Sequence, residues 1–515
     1  MSFTKTALSL SETNQFPKMI VDYISGNEKL RPFYTYVPSV DSFKQAIEDK
    51  NKELINRELL VKVISQQYIK TGISGRQELI NSLLNKNTYT VCTGHQLCLF
   101  TGPLYFIYKI ITTINLAKEL KVHYPDNNFI PVYWMASEDH DFEEIKSINL
   151  FGQKLSWNNP LASGAVGRLQ TESLKEVIDE LKKILGDSTF ADELTNLFSD
   201  AYLHHSTLAD ATRMLVHSLF LNSDLIILDA DDAELKKEFL SIMKDDIANK
   251  TNYHLVNNSI ETLKKAGYSA QVNPREINVF HLTDNNRVRI ENSTNEMLNL
   301  SPEEYSPNVV LRPLYQQKIL PNLAYIGGPG ELAYWFELKD MFNHHHINFP
   351  VLIPRNFAMI IDGKSVQQMS KMEISIADLF KDTEVLIKEF VTRNSSENIS
   401  LKDEEVKLIA TYQDVMSKAV KTDASLKGAV DAEMQKALNS LKNIESKLLK
   451  AEKQKQETSI NQIKKIKEKV FPQGSLQERH DNFSPYYLKT GPKLIDNLSE
   501  EFNPFKFEFL VLTIE

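Results

Sequence analysis

The stretch from Thr88 to Leu120 constrains the fold more than any other part of the chain. Thr88 to Cys92 is short, apolar and β-prone, the pattern of a buried strand. Thr93-Gly94-His95-Gln96 interrupts it with small and polar residues, and a second small pair, Thr101-Gly102, precedes Pro103. Proline suits the first helical position, where its missing N–H would have no partner anyway. From Leu104 onward apolar residues crowd nearly every side of the predicted helix, as in a helix packed deep against a sheet. Strand, glycine-bearing turn and buried helix make up the ligand-binding unit of doubly wound folds. The helix N-terminus offers unpaired N–H groups and partial positive charge to whatever lies beyond the strand, often a phosphate. The competing reading is a tight turn whose glycine is structural.

Four more runs repeat the pattern. Phe129 to Met135 ends in Ala136-Ser137-Glu138-Asp139-His140-Asp141, and Asp224 to Leu228 ends in Asp229-Ala230-Asp231-Asp232. Asn322 to Ile326 runs into Gly327-Gly328-Pro329-Gly330-Glu331 and a helix through Phe342, and Phe349 to Ile353 ends in Pro354-Arg355-Asn356. Helical spacing covers 171–221 and continues to about Gly267. Residues 143–160 read as short strands or an edge hairpin, and 270–311 as an inserted strand-rich piece with Asp284-Asn285-Asn286 as its turn. Residues 1–87 read as mostly helical, broken early by Pro17, Pro32 and Pro38. Apolar strands alternating with helices predict an α/β fold with a parallel sheet, ligands gathering at the strand C-termini.

A chain of 515 residues can hold two or three domains. Its formal net charge of -9 argues against a general nucleic-acid binder, which would carry a basic balance. The two cysteines, Cys92 and Cys98, exclude a disulfide framework. The first residues lack a charged-then-apolar leader, and no apolar run reaches the ~20 residues that span a bilayer. A cytoplasmic protein is expected.

Composition shifts near residue 373. From there to Val470 glycine nearly vanishes, and Met434, Leu441 and Leu448 fall seven apart beside a second seam of Val430, Ala437, Ile444 and Ala451. Ile463, Ile466 and Val470 resume after a polar break at Lys453 to Glu457. This is a coiled-coil pattern. Leu401 to Ala419 could pair with it as an antiparallel hairpin; the seam could pack within the chain or against a second subunit, and a homodimer contact is the favoured expectation. Phe471-Pro472-Gln473-Gly474 stops the helix. The predicted organisation is a core over 1–372, with a helical N-terminal part and insertions at about 143–221 and 232–311. A helical coiled-coil domain follows over 373–470, and a tail over 471–515 returns to the core and closes on an edge strand.

Five groups at predicted strand ends could carry chemistry. Thr93, Gly94, His95 and Gln96, with Gly102, Gly327 and Gly328, would border a nucleotide, the glycines allowing close backbone approach to phosphate and His95 contacting phosphoryl oxygens. Glu138-Asp139-His140-Asp141 is the densest acid–base group, able to orient an amine or hold Mg²⁺. A solvated acidic loop capping a helix is the alternative. Asp229 and Asp231 form the third group. Glu331 belongs to the fourth; Arg355 and Asn356 form the fifth. Lys109 could reach a phosphate or snorkel to the surface. Arg312 could anchor a carboxylate or form a surface ion pair. The tract His344-His345-His346 follows a helix end, where cationic residues suit the dipole.

Three motifs then carry a family resemblance: T-G-H-Q-L-C-L-F-T-G-P-L-Y-F-I-Y-K (93–109), P-V-Y-W-M-A-S-E-D-H-D-F-E-E-I (131–145) and Y-I-G-G-P-G-E-L-A-Y-W (325–335). They resemble the cysteine ligases of bacillithiol biosynthesis, over nearly the full length. The resemblance implies a Rossmann-like core of nucleotidylyltransferase type with connecting insertions, a helical coiled-coil domain and a dimer. It also implies addition of cysteine to the amine of glucosaminyl malate. That core is similar to class I aminoacyl-tRNA synthetases, whose first helix opens with a HIGH signature. Gly94-His95-Gln96 stands at the comparable place without matching it. Met369-Ser370-Lys371 echoes the centre of the second signature, KMSKS, but an amphipathic helix start is the favoured reading of these three residues.

Amide formation from a carboxylate needs a leaving group, which ATP supplies as an acyl-adenylate or acyl-phosphate. The protein must bind phosphates and present a neutral amine. On this reading Tyr105, Arg312, Glu331, Arg355 and Asn356 would contact the substrate, through sugar hydroxyls or the malate carboxylate. The glycine loops are not of Walker type. Two rival readings are a metal-dependent hydrolase or deacetylase using His95, Asp139, His140 and Asp141, and a non-catalytic nucleotide-binding scaffold.

Overall fold

All five apolar runs become strands of one parallel sheet: β1 (Thr88–His95), β2 (Asn128–Met135), β3 (Ile226–Asp229), β4 (Asn322–Gly327) and β5 (Val351–Pro354). The computed structural model describes residues 3–395 and 399–514. Across the sheet the order is β3-β2-β1-β4-β5. β1 and β2 pair from Thr88 with Asn128 to His95 with Met135, and β4 pairs with β1 from Ala324 with Val91 to Ile326 with Thr93. The strand order therefore reverses between β1 and β4. In a doubly wound sheet the connections leave in opposite directions there, opening a crevice beyond the carboxyl ends of those two strands.

Side-chain alternation fixes the two faces. Tyr89, Val91, Leu323, Ile326, Val351 and Ile353 join one core with Phe43 and Ala46 of the N-terminal part. Cys92, Ile130, Val132, Trp134, Tyr325 and Leu352 face the other way, into the larger core. α1 (Tyr105–His123) covers the first face through Leu116, Ala117 and Leu120, and twelve of its residues are buried.

The link from β1 to α1 differs from the sequence expectation. Strand pairing runs through Gly94 to His95, so these residues are strand rather than loop. The turn follows at Gln96 to Leu104, and Pro103 stands two residues ahead of the helix instead of at its first position. Phe100, Thr101 and Gly102 all have positive φ, a run that costs free energy at the two non-glycine residues. Remote contacts hold it. Asn482 Nδ2 donates to the carbonyls of Phe100 (2.8 Å) and Gly102 (2.6 Å), Tyr202 Oη accepts from the Phe100 N–H (3.0 Å), and the Asp481 carbonyl accepts from the Leu104 N–H (2.7 Å).

Gly102, at φ 69° and ψ -142°, lies where essentially only glycine goes. A Cβ there would stand 2.6 Å from Cys98 Cβ. Gly102→Ala is expected to destabilise the protein by about 2 kcal/mol or more in chemical denaturation, through strain and overpacking together.

The insertions follow the expected character. Ser147–Leu150 and Gln153–Ser156 form an antiparallel hairpin, and Val279–Leu282 lies between Arg287–Arg289 and Tyr305–Pro307 in a small antiparallel sheet. At the N-terminus, Phe3–Ser9 is a strand where helix was expected; its residues are mostly exposed, so no apolar periodicity marks it. Glu508–Ile514 is a strand as expected, but it has a strand on each side instead of lying at an edge.

The chain divides into two units: Met1–Met359 with Ser475–Leu510, and Ile360–Gly474 with Val511–Glu515. The change of unit precedes the change of composition near residue 373. In the second unit α3 (Lys402–Thr422) packs along α4 (Lys427–Lys455) as a hairpin. Met434, Ala437, Leu438 and Leu441 turn inward, whereas Ile444 and Leu448 are 51% and 39% exposed. Met369-Ser370-Lys371 forms the end, not the start, of the helix Gly363–Lys371.

Candidate active site

A cleft of about 640 Å³ opens at the switch point, beyond the carboxyl ends of β1 and β4. It brings together Gly94, His95, Gln96, Tyr105, Arg312, Gly328, Glu331 and Arg355 of the predicted site. α2 (Pro329–Phe336) begins at its edge with Gly328 as cap. The Gly328 N–H donates to Glu331 Oε2 at 2.9 Å, so the helix's own carboxylate occupies the positive end of its dipole.

Glu331 is the centre of a saturated network. Lys109 Nζ lies 2.8 Å from both of its oxygens and also donates to the Gly94 carbonyl, and Tyr325 Oη donates to Oε1 at 2.9 Å. Burial raises the Glu331 carboxyl, but the Lys109 charge and hydrogen bond outweigh it and bring the value down to about 2. Lys109 thus neither snorkels nor waits free for phosphate; it is 2% exposed and paired.

Among the described residues no carboxylate hydrogen-bonds Arg312, from the helix Arg312–Ile319. Its Nη1 donates to Gln316 Oε1 (3.1 Å), its Nη2 donates to Tyr334 Oη (3.0 Å), and its guanidinium lies over the Tyr325 ring at 5.6 Å. A Cβ on Gly94 would stand 3.4 Å from both Arg312 Nη1 and Tyr325 Oη, so the strand backbone passes directly beneath this pair. Arg355 is held from behind: Nη2 donates to Glu478 Oε1 at 2.6 Å and Nη1 to the Asn356 carbonyl at 3.0 Å. Its Nε has no partner among the described residues. Tyr105 links the two walls, stacked on the His95 ring at 5.3 Å and 15° with the Arg355 guanidinium 5.1 Å from its centroid. Burial, then the Lys109 charge, push the His95 imidazole down to about 3, so it is neutral at any working pH.

Other predicted residues lie elsewhere. Thr93 is buried, its hydroxyl donating to the Ile326 carbonyl at 2.8 Å, Gly102 is packed in the turn before α1, and Gly327 is packed at the end of β4. Asn356 is an internal strut: its N–H donates to Thr112 Oγ1 (3.0 Å) and its Nδ2 to the Asn503 carbonyl (2.8 Å). The acidic loop is dispersed. Glu138 Oε1 lies 2.7 Å from Lys236 Nζ, which also meets Asp231, itself bonded to Arg168. The Asp229 carboxylate accepts from the Ser137 hydroxyl. Asp139 Oδ2 accepts from Gln96 Nε2 at 2.6 Å, touching the cleft only through that side chain. His140 and Asp141 line a separate recess with Lys146 and Trp157. The Asp141 carboxylate caps the short helix Phe142–Ile145 by accepting from the Glu144 N–H at 3.2 Å, the alternative weighed for this loop.

Among the described residues no three His, Cys, Asp or Glu side chains gather as a metal-ion site, so the donor set that a metal-dependent hydrolase needs is not assembled. His345 instead meets Asn252 Oδ1 at 2.8 Å, and burial takes it down to about 4. No helix of the described residues is long and apolar enough to cross a membrane.

Several cleft residues were not foreseen. Tyr325 and Tyr334 flank the glycine motif, and a polar tip in an otherwise apolar strand (Tyr325) or helix (Tyr334) was the available signal. Arg479 enters from the returning segment, which also supplies Glu478, Asp481 and Asn482 to the site and its turn. The dense titratable run Glu478-Arg479-His480-Asp481 marked it, though not its destination. Gln271, Val272 and Asn273 form a wall fixed by Glu337, whose carboxylate accepts from the N–H groups of Gln271 (2.6 Å) and Val272 (3.2 Å).

Burial raises the Glu337 carboxyl from 4.5 to about 7. A carboxyl raised on folding favours the folded state most below its unfolded value, and that contribution is lost as pH rises through the folded value. Stability is therefore expected to fall between about pH 4.5 and 7 on this account. Melting curves at several pH values should show this component disappear in Glu337→Gln.

Two domain families match the chain. One, described as "Bacillithiol biosynthesis BshC, N-terminal Rossmann-like domain", covers residues 3–356; the other, its "C-terminal coiled-coil domain", covers 358–514. Similar proteins named "Putative cysteine ligase BshC" include one from Flavobacterium psychrophilum, 45% identical over 98% of each chain. One from Flavobacterium johnsoniae is 42% identical over 98% of this chain and 99% of its own, and one from Bacillus cereus is 27% identical over 95% and 96%. A Rossmann-like sheet, a helical coiled-coil unit and matches across both together make this chain a member of the BshC family of bacillithiol biosynthesis.

Proposed function

We propose that the protein is a carbon–nitrogen ligase that joins the carboxyl group of L-cysteine to the amine of glucosaminyl malate, forming bacillithiol in the cytoplasm. The observation that carries the reading is the charge of the switch-point cleft. Lys109, Arg312, Arg355 and Arg479 line it with one lining carboxylate, Glu331, which Lys109 already neutralises. Glu478 neutralises Arg355 from behind. Among the described residues Arg312 and Arg479 form no ion pair with a carboxylate, so the cleft suits a ligand bearing carboxylates or phosphates. The chain's relatives carry the cysteine ligase name over their full lengths, which supports the same reaction here.

ATP fits this donor set, with Arg312 and Arg479 to hold its anionic groups, and when bound it supplies the leaving group that a carboxylate lacks. Mg²⁺ would accompany the nucleotide. The protein's own part is to fix the two substrates at one rim and to keep the amine neutral. The reading also includes a homodimer through the helical unit, supported by the exposed Ile444 and Leu448 on the heptad seam; sedimentation of the purified chain tests it. Both cysteines are free thiols, which suits the cytoplasm.

The test is incubation of the purified protein with glucosaminyl malate, cysteine and ATP, followed by mass detection of the thiol product and of AMP against ADP. Product formation supports the reading, and the nucleotide released identifies the mode of activation. Absence of product with folded protein would remove it.

A further inference from the structure

Gln96 lines the switch-point cleft and is half-buried. Its Nε2 lies 2.6 Å from Asp139 Oδ2 and 2.7 Å from Glu144 Oε2, so each of the two amide protons has its own acceptor. Turned over, the amide would set its oxygen against two carboxylates, which as ions only accept. The network therefore decides which end of the amide is nitrogen. Neither carboxylate belongs to the cleft lining, so both protons are spent outside it and Oε1 is the polar atom left for the cleft. Among the described residues nothing donates to Oε1, and this oxygen is not sealed from solvent.

The loop that aims the amide is itself fixed. Asp139 Oδ1 accepts from the N–H groups of His140 (2.7 Å) and Asp141 (3.3 Å), and Asp141 Oδ1 accepts from the Glu144 N–H at 3.2 Å. The acidic loop thus acts on the cleft through one amide, whose open end is an acceptor with two carboxylates behind it.

Such an oxygen selects its ligand by charge. A phosphate or carboxylate oxygen would be repelled. A hydroxyl can donate, but an ammonium gains from the carboxylates as well. Among the described residues no Lys or Arg pairs with Asp139 or Glu144, and the nearby cations Lys109 and Arg355 are matched by Glu331 and Glu478. The ligase reading brings two amines to the site. That of glucosaminyl malate must be neutral to attack. The α-amino group of cysteine takes no part in the new bond, and as an ammonium it cannot compete as a nucleophile.

We propose that Gln96 Oε1 accepts a hydrogen bond from the α-ammonium group of cysteine, with Asp139 and Glu144 as positioning residues that hold the amide in this direction. The inference rests on the ligase reading above for the identity of the amino acid, but not for the ammonium contact.

The probes are cysteine and mercaptopropionate, which is cysteine without its amino group. They are titrated calorimetrically into the full-length protein in the presence of a non-hydrolysable ATP analogue. Wild type is expected to bind cysteine about tenfold more tightly or more, the effect of one hydrogen bond to a charged group. Gln96→Met keeps the length of the side chain without an acceptor and should bring the two dissociation constants together by weakening cysteine alone. Glu144→Gln keeps the shape of the loop but loosens the amide, and should lose part of the difference. Equal constants in wild type, no binding of cysteine, or a difference that persists in folded Gln96→Met overturns the contact.

In turnover, Gln96→Met should raise KM for cysteine and leave KM for glucosaminyl malate in place. The reverse pattern would give the acceptor to the sugar amine and overturn the proposal. A Gln96-dependent difference in binding by a protein that makes no thiol product would uphold the contact and overturn the ligase reading instead.

Discussion

Replacing Glu478 by alanine is expected to cost about 3–5 kcal/mol of folding stability, the usual consequence of removing one member of a buried ion pair. Arg355 and Glu478 are 2% and 1% exposed at their side chains, with 2.6 Å between Nη2 and Oε1. Glu478 Oε2 also accepts from the Ala358 N–H at 3.1 Å. Alanine would strand a guanidinium whose Nε is already unpartnered, and it would orphan a backbone donor as well. The loss arises from the uncompensated charge more than from the pair's own net strength. Arg355→Met combined with Glu478→Leu should therefore recover much of the stability in chemical denaturation while leaving activity low, because Arg355 lines the cleft. If the single variant lost less than 1 kcal/mol, the view that the returning segment is locked to the site through this pair would fail.

Arg312→Met should have the largest effect on turnover. Arg312 holds its place through Gln316, Tyr334 and the Tyr325 face, and Glu331, the acid nearest to it in the cleft, is taken by Lys109. Its charge is thus available to a substrate anion. Truncating one partner of a desolvated charge pair costs about 2–5 kcal/mol, which corresponds to a fall of about 30-fold or more in kcat/KM. The melting temperature should change little, because the lost hydrogen bonds are to neutral groups at a cleft wall. Unchanged kcat/KM in a folded variant would take Arg312 out of substrate binding.

Much of the core was legible because its strands are buried on both faces and therefore read as unbroken apolar runs. The ends of those runs led to His95, Glu331 and Arg355, and Arg312, singled out beside Pro313, shares their cleft. The acidic loop shows the limit of that logic. Glu138 and Asp141 stand at the end of β2, but β2 is one strand away from the reversal between β1 and β4, and their side chains turn to Lys236 and to a helix end. Composition cannot say which strand ends flank the switch point; only the strand order does. Arg479 was hidden for a different reason. It is brought to the cleft by a segment that leaves the core at residue 359 and re-enters it at 475, and no local pattern encodes a contact across that distance. The first strand, Phe3–Ser9, lacks the apolar alternation that would have announced it.

The most direct measurement is a crystal structure of the protein with glucosaminyl malate and a non-hydrolysable ATP analogue. The account predicts the sugar substrate in the cleft beyond β1 and β4, with an anionic group on Arg312. Density for the substrate in the recess lined by His140 and Asp141, with the switch-point cleft holding only solvent, would contradict it.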